Sequence, residues 1–180
     1  MGRGAWYRLT MTAILRPLDP DRDGAALHAI FGDEESCVFL TREATQTVEE
    51  TIALLKKWSS VSSETDWAIV EHPEGPALGR ATLFSERDPE VWEAGIMLRP
   101  DAYGRGLALS AIQQGLKFIF EQKKARRVFV DIDPDNAPSL RLFEKLGFQR
   151  EGVLRAEWRT HIGVRDAVIM GLLADERSGF

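Results

Sequence analysis

Gly104 and Gly106 lie one residue apart in Asp101-Ala102-Tyr103-Gly104-Arg105-Gly106-Leu107-Ala108, between an apolar strand-like run and a long helical pattern. Glycines at a strand-to-helix junction let the backbone approach a ligand closely. The helix that follows aims its unpaired N–H groups and the positive end of its dipole at the same place. The chemistry this offers is a phosphate cradle, although a plain tight turn reads the same way in isolation. Leu109 stands where a dinucleotide fingerprint would need a third glycine, and no P-loop lysine follows, so both of those readings fail. Three further residues flank the turn with useful chemistry: Glu93, which can accept a proton, and Asn136 and Ser139, which can donate hydrogen bonds.

The patterns that must position these residues are mostly clear. Residues 12–18 read as a strand, and Pro20 with Asp21 and Asp23 opens a helix to Phe31. A loop with Asp33, Glu34, Glu35 and Glu43 leads to a helix over 47–58 and then a Ser-rich link over 59–63. Strands are expected over 66–71, 77–85 and 91–98, a helix over 107–122 and a buried strand over 127–132. A helix over 138–146 stops at Gly147, and strands over 148–158 and 164–173 close the chain around a turn at 161–163. The order is antiparallel hairpins on either side of a central βαβ unit.

The chain has 180 residues, a net charge of −5 and one cysteine. That is one domain with a real core, and it lacks the basic excess of a general nucleic-acid binder. Cys37 is expected as a small buried filler, with no intrachain disulfide or cysteine zinc site to join. His28, His72 and His161 have no metal-ligand spacing. Without a membrane-length apolar run or a signal-peptide core, the expected location is cytoplasmic, with no membrane partner. Residues 1–11, including Trp6 and Tyr7, are expected as an extension, 12–175 as the domain and 176–180 as a tail. Lys123, Lys124, Arg126 and Arg127 read as a solvated helix end rather than a nucleic-acid patch.

Read together, Glu93-x-Gly95, Pro100 to Ala108, Asn136-x-x-Ser139, Phe143 to Phe148, Glu151-Gly152-Val153-Leu154-Arg155 and Asp166 resemble the GCN5-related N-acetyltransferase (GNAT) superfamily. Within it they are most similar to the RimJ/RimL-like branch of ribosomal-protein alanine acetyltransferases. The resemblance implies an α+β (mixed α/β) fold with a central twisted, mostly antiparallel sheet of about six to seven strands. It implies a parallel βαβ acyl-CoA-binding unit at the centre and helices on the flanks. It also implies acetyl-CoA as co-substrate without a metal. Its pyrophosphate would lie on backbone amides of Tyr103, Gly104, Arg105, Gly106, Leu107 and Ala108, and its pantetheine arm along Ile96, Met97 and Leu98, with Asn136 near the thioester. Two residues depart from the family pattern: Asp101 replaces a Gln or Arg before the first glycine, so the grip must come from backbone amides, with Arg105 as a charge partner. Phe143 replaces a tyrosine that acts as general acid in many relatives.

The reaction implied is attack of a primary amine on the thioester in a ternary complex. Glu93 matches the base, and Ser139 the residue that meets the leaving sulfur; an exposed strand charge and a first-turn helix serine are the plainer readings. Asn136 has a plainer reading too, as an N-cap. A protein N-terminus is the first acceptor the branch implies. A polyamine, amino acid or aminoglycoside is the alternative, and a non-catalytic acyl-CoA-binding module is the competing class. Trp92 and Trp158 fall where an acceptor groove would run, and a homodimer is compatible with the reading. A Glu93→Gln variant is expected to lose most activity at low pH.

Overall fold

The computed structural model describes residues 12–177, apart from the side chains of 61–63 and 87. The expected extension over 1–11 and the last three residues of the expected tail lie outside them. Seven strands form one sheet in the order β1-β2-β3-β4-β5-β7-β6, comprising β1 (Ile14–Pro17), β2 (Asp66–Val70), β3 (Gly79–Asp88), β4 (Val91–Leu98), β5 (Arg127–Ile132), β6 (Gln149–Thr160) and β7 (Gly163–Leu173). All neighbours are antiparallel except β4 and β5, which are parallel and joined by α3 (Leu107–Gln122). A parallel pair needs such a crossover. Helices α1 (Pro20–Phe31) and α2 (Val48–Ser62) precede β2, and α4 (Ala137–Lys145) links β5 to β6.

Each helix covers the sheet through its apolar stripe. On one face Leu107, Ile112, Leu116 and Ile119 of α3 and Phe143 of α4 bury against Val128, Val130 and Ile132. On the other, Leu27, Ile30 and Phe31 of α1 and Leu54 and Leu55 of α2 bury against Ala68 and Val70. The helices of the second face are thus seated at the β1–β3 end, and Cys37 is buried beside them with its thiol pushed up by burial. Two buried acids on that side are paired, Asp23 with Arg16 at 2.5 Å and Asp66 with Arg80 at 2.7 Å.

One expected loop is helical. The Ser-rich link continues α2 to Ser62, with Ser60 Oγ donating back to the Lys57 carbonyl at 2.7 Å and Ser59 Oγ to Asp66 Oδ2 at 2.6 Å. Serine has a modest helix propensity because its hydroxyl seeks local hydrogen-bond partners. Here both hydroxyls of that pair have partners. The strand expected over 77–85 runs on to Asp88 across a register shift between Phe84 and Asp88.

The stop of α4 holds as expected. Gly147 has φ +87°, its N–H bonds the Glu144 carbonyl at 3.0 Å, and the Phe148 N–H bonds the Phe143 carbonyl at 3.0 Å. The rings of Phe143 and Phe148 then meet edge to face at 5.0 Å, which completes a Schellman motif with its apolar contact. A Cβ at Gly147 would meet only Leu172, at 3.8 Å, so the cost of a side chain there is conformational. Gly147→Ala is expected to lower unfolding stability by about 1–2 kcal/mol, read by denaturant titration; unchanged stability would contradict this account of the helix end.

Candidate active site

β4 and β5 share a short ladder. Val91, Trp92 and Glu93 pair with Arg127, Val128 and Phe129, and the pairing ends there although β4 runs to Leu98 and β5 to Ile132. Beyond that point β4 stays with β3 up to the Gly79–Leu98 pair, and β5 stays with β7 to the Ile132–Val168 pair. The two strands open like a V with Glu93 at its apex.

Backbone direction in the V follows from two bonds. The Glu90 carbonyl accepts from Arg126 and Arg127 at 2.9 and 3.2 Å, so even-numbered residues of β4 face β5. The Arg99 N–H donates to the Leu78 carbonyl at 2.8 Å, so odd-numbered residues face β3. Ala94, Ile96 and Leu98 therefore turn their backbone into the gap. Of the three residues expected along a pantetheine arm, Ile96 and Leu98 face it, whereas the backbone of Met97 faces Arg80 across the β3 ladder. The side chain of Met97 packs with the α1 and α2 cluster. Period two places Glu93 on that same face of the sheet.

At the wide end of the V lies the glycine turn. Gly104 and Gly106 have φ +73° and +80°, a left-handed conformation that only glycine adopts freely. Gly106 caps α3 without a side-chain hydrogen bond, and the first turn of α3 carries no acid. By contrast α1 begins with Asp21 and Asp23, and α2 with Glu49 and Glu50. The first bond of α3 runs from the Ser110 N–H to the Gly106 carbonyl at 3.1 Å, so the amides of Leu107, Ala108 and Leu109 precede it and are the donors available to an anion. Tyr103 differs, since its N–H is taken by the Pro100 carbonyl at 3.2 Å. The Arg105 guanidinium is ion-paired with Glu71 at the end of β2. Asp101 takes the fork of Arg99, at 3.0 and 2.7 Å. The donor set thus suits a pyrophosphate, held by backbone more than by side-chain charge.

The other arm of the V brings in α4. Asn136 caps it, with Oδ1 accepting the Ser139 N–H at 3.2 Å, so the plain reading of Asn136 is realised and its side-chain NH₂ is the group left to face a ligand. Ser139 lies in the first turn, half-buried.

Glu93 is half-buried, and its carboxyl is raised to about 7 by burial first, then by the negative charge of Asp131 and of Glu86. Among the described ion pairs none involves Glu93 or Asp131. Asp131 escaped the reading of 127–132 as a plain buried strand. Its signal was a lone acid in an apolar strand whose alternate residues, Val128, Val130 and Ile132, fill the core. The register puts Asp131 two residues past Phe129, on the face of Glu93. Trp158 Nε1–H of β6 donates to Asp131 Oδ2 at 2.8 Å. A bulge in β6 permits this: Ala156 has φ +56°, and its N–H is held by Asp166 Oδ1 at 2.8 Å. Trp92, the other tryptophan expected in a groove, instead packs against the α3 core and donates to the Pro89 carbonyl at 2.8 Å. Lys123 and Arg126 at the end of α3 pair with Glu64 and Asp88, each at 2.5 Å, and Arg127 pairs with Glu151.

Among the described residues no group of three or more His, Cys, Asp and Glu is placed to hold a metal ion. Among the described residues no helix is long and apolar enough to cross a membrane.

The chain has relatives of known family and fold. Residues 13–149 match the acetyltransferase (GNAT) domain family. The chain is 30% identical over 130 residues to an N-acetyltransferase 9-like protein of Caenorhabditis briggsae, which covers 66% of each protein. It is 27% identical over 149 residues to the uncharacterized N-acetyltransferase YoaA of Bacillus subtilis, covering 79% of this chain and 82% of that one. The fold superposes on a GNAT-family acetyltransferase from Bacillus anthracis with a TM-score of 0.81 at 23% identity, over 92% of this chain and 96% of that one. It also superposes on a spermidine N-acetyltransferase from Vibrio cholerae solved with CoA and spermine, with a TM-score of 0.75 at 20% identity over 92% and 97%. The chain belongs to the GNAT acetyltransferase family, and it is an N-acetyltransferase.

The state of Glu93 has a stability consequence. A carboxyl whose folded value is about 7 against an ordinary 4.5 disfavours its charged form, so stability present below 4.5 is lost as pH rises through 7. Glu93→Gln removes that loss. The variant is expected to be more stable than the parent at pH ~8 by on the order of 2 kcal/mol, with the gap closing by pH ~4.5. Denaturant titrations at the two pH values check this, and a gap independent of pH would contradict it.

Proposed function

We propose that this protein transfers the acetyl group of acetyl-CoA to a primary amine by direct attack, with Glu93 as general base. The observation that carries the reading is the V between β4 and β5 with a carboxyl of raised proton affinity at its apex. The pantetheine arm lies in the gap along the backbone of Ile96 and Leu98, and the pyrophosphate meets the amides of Leu107 and Ala108 at the start of α3. The NH₂ of Asn136 faces the arm near the thioester.

The chemistry assigns one job to each group. An alkylammonium, with a pKa near that of lysine at about 10, has no lone pair to attack with. The Glu93 carboxylate takes its proton, directly or through one water, and the neutral nitrogen forms a bond to the thioester carbon. The C–S bond then breaks. Sulfur leaves with the electron pair. The second proton, which the newly bonded cationic nitrogen must shed, reaches the sulfur through water or through the Ser139 hydroxyl, which takes one proton as it gives another. Departure is easy for a thiol of pKa about 8.5. A gap-facing N–H of β4, from Ile96, is placed to meet the oxyanion, as preorganised donors do. Met97, whose N–H faces β3, is not.

The acceptor enters on the Glu93 face, past the α1–α2 cover and beside Trp158. Its amine is cationic in solution, which suits the carboxylates there. The motifs that resemble the RimJ/RimL-like branch support a protein N-terminus among the acceptors. A cytoplasmic location fits both this and small amines.

Steady-state thiol release from acetyl-CoA across a panel of amines and alanine-initiated peptides tests the reading; no turnover with any acceptor, alongside CoA binding, would favour a non-catalytic module. For Glu93→Gln, rates are expected to fall about 100-fold or more near pH 8. Below pH 7 the parent's own Glu93 is protonated, so the ratio narrows there, and the expectation of the largest loss at low pH is reversed. A ratio flat across pH would remove Glu93 as the base.

A further inference from the structure

We propose that Asp131, braced by Trp158, determines acceptor specificity by receiving a second, distal ammonium of the amine whose reacting nitrogen lies at Glu93, so that short diamines and polyamines are the preferred acceptors. This rests on the reading of Glu93 as base given above.

The placement comes from register. Glu93 is the sole carboxylate of β4 and Asp131 the sole carboxylate of β5, and both are half-buried on the sheet face that carries α1 and α2, toward β5 from the contacts of those helices with Ala68 and Val70. Phe129 stands beside Glu93, and Asp131 is two residues further along, so the two Cβ atoms are about 8 Å apart or somewhat more where the strands part. That span fits the nitrogens of a diamine with a short methylene chain between two reaching carboxylates. It is too wide for one ammonium to bridge.

Their neighbours explain why these two are available. Asp133 and Asp135, at the end of β5, are both taken by Arg165, and Asp133 is held at 2.7 Å. Glu151 is taken by Arg127. Asp131 instead has a neutral donor, the Trp158 indole N–H, on one oxygen. An indole fixes the carboxylate without cancelling its charge, which leaves the second oxygen for an incoming cation. The exposed Trp158 ring adds a surface over which an alkylammonium chain can lie. Asp166 acts one step further back as a positioning residue. By holding the Ala156 N–H it maintains the bulge that directs Trp158 over β7 to Asp131.

A diamine also gains in reactivity. While its distal nitrogen stays charged at Asp131, that charge lowers the proton affinity of the near nitrogen, which then yields its proton to Glu93 more readily. A monoamine lacks both the anchor and this effect.

The test is kcat/KM for putrescine, spermidine, n-butylamine and an alanine-initiated peptide, with parent, Asp131→Asn, Trp158→Phe and Asp166→Ala, each checked for folding by thermal melt. The parent is expected to favour putrescine over n-butylamine at least tenfold. Asp131→Asn is expected to lower that ratio about tenfold through KM for the diamine, in line with loss of a hydrogen bond to a charged group. Asp131→Glu restores part of it. Trp158→Phe, which keeps the ring but loses the N–H, and Asp166→Ala lower the ratio in the same direction by less. Turnover of both amines with equal kcat/KM by the parent, a ratio unchanged in Asp131→Asn, or a peptide that outruns putrescine overturns this inference while leaving acetyl transfer intact. Absence of turnover with every acceptor would instead sink the proposed function itself.

Discussion

Everything at the centre of this molecule follows from a ladder that stops early. β4 is committed along its length to β3, and β5 to β7, so the parallel pair between them lasts from Val91 to Glu93 and no further. Sheet twist then carries the two strands apart. Backbone N–H and C=O groups are obligatory hydrogen-bonding groups, and those of Ile96 and Leu98 are turned into the gap. A ligand with its own amides in an extended chain answers that demand, and pantetheine has them. In the proposed function the gap is a strand position left for that ligand.

Other features are arranged around that opening. Glu93 sits at the apex, where burial and the nearby charges of Asp131 and Glu86 hold its carboxyl near neutral pH. The same environment costs the fold stability once the group ionises, a trade that fits the base proposed here. At the wide end, α3 starts at Gly106 with no side-chain cap and no acid in its first turn, whereas the first turns of α1 and α2 carry acids. A helix start of that kind leaves donors for an anionic ligand. On the far side, the β6 bulge stores a left-handed alanine to direct Trp158 onto Asp131.

Much of this was legible in the chain itself, and the physical reasons differ by element. Val91–Leu98, Leu107–Gln122 and Arg127–Ile132 begin and end where their periodicity does, because each is bounded by Gly, Pro or charged turn residues and buries a continuous apolar stripe. The glycine turn and the Gly147 stop were readable because positive φ leaves few other residue choices. The extension of α2 through Ser59 and Ser60 was not, since the partners that satisfy those hydroxyls include Asp66, beyond the helix. Asp131 and Trp158 are 27 residues apart, joined only by the order β5-β7-β6, and no local pattern carries that adjacency. The engagement of Arg105 by Glu71 was hidden for the same reason. Local spacing thus pointed to the proposed donor side of the site, while the proposed acceptor side depends on strand order.

The claim on which the account turns is that alternate β4 amides, together with the start of α3, receive the acyl donor. Amide-resolved NMR of the whole chain titrated with CoA addresses it directly. The account predicts that Ile96, Leu98, Leu107 and Ala108 shift together with one affinity, while Met97, paired across to Arg80, shifts least among the residues of that strand. Uniform shifts along β4, or shifts confined to other parts of the protein, would contradict it.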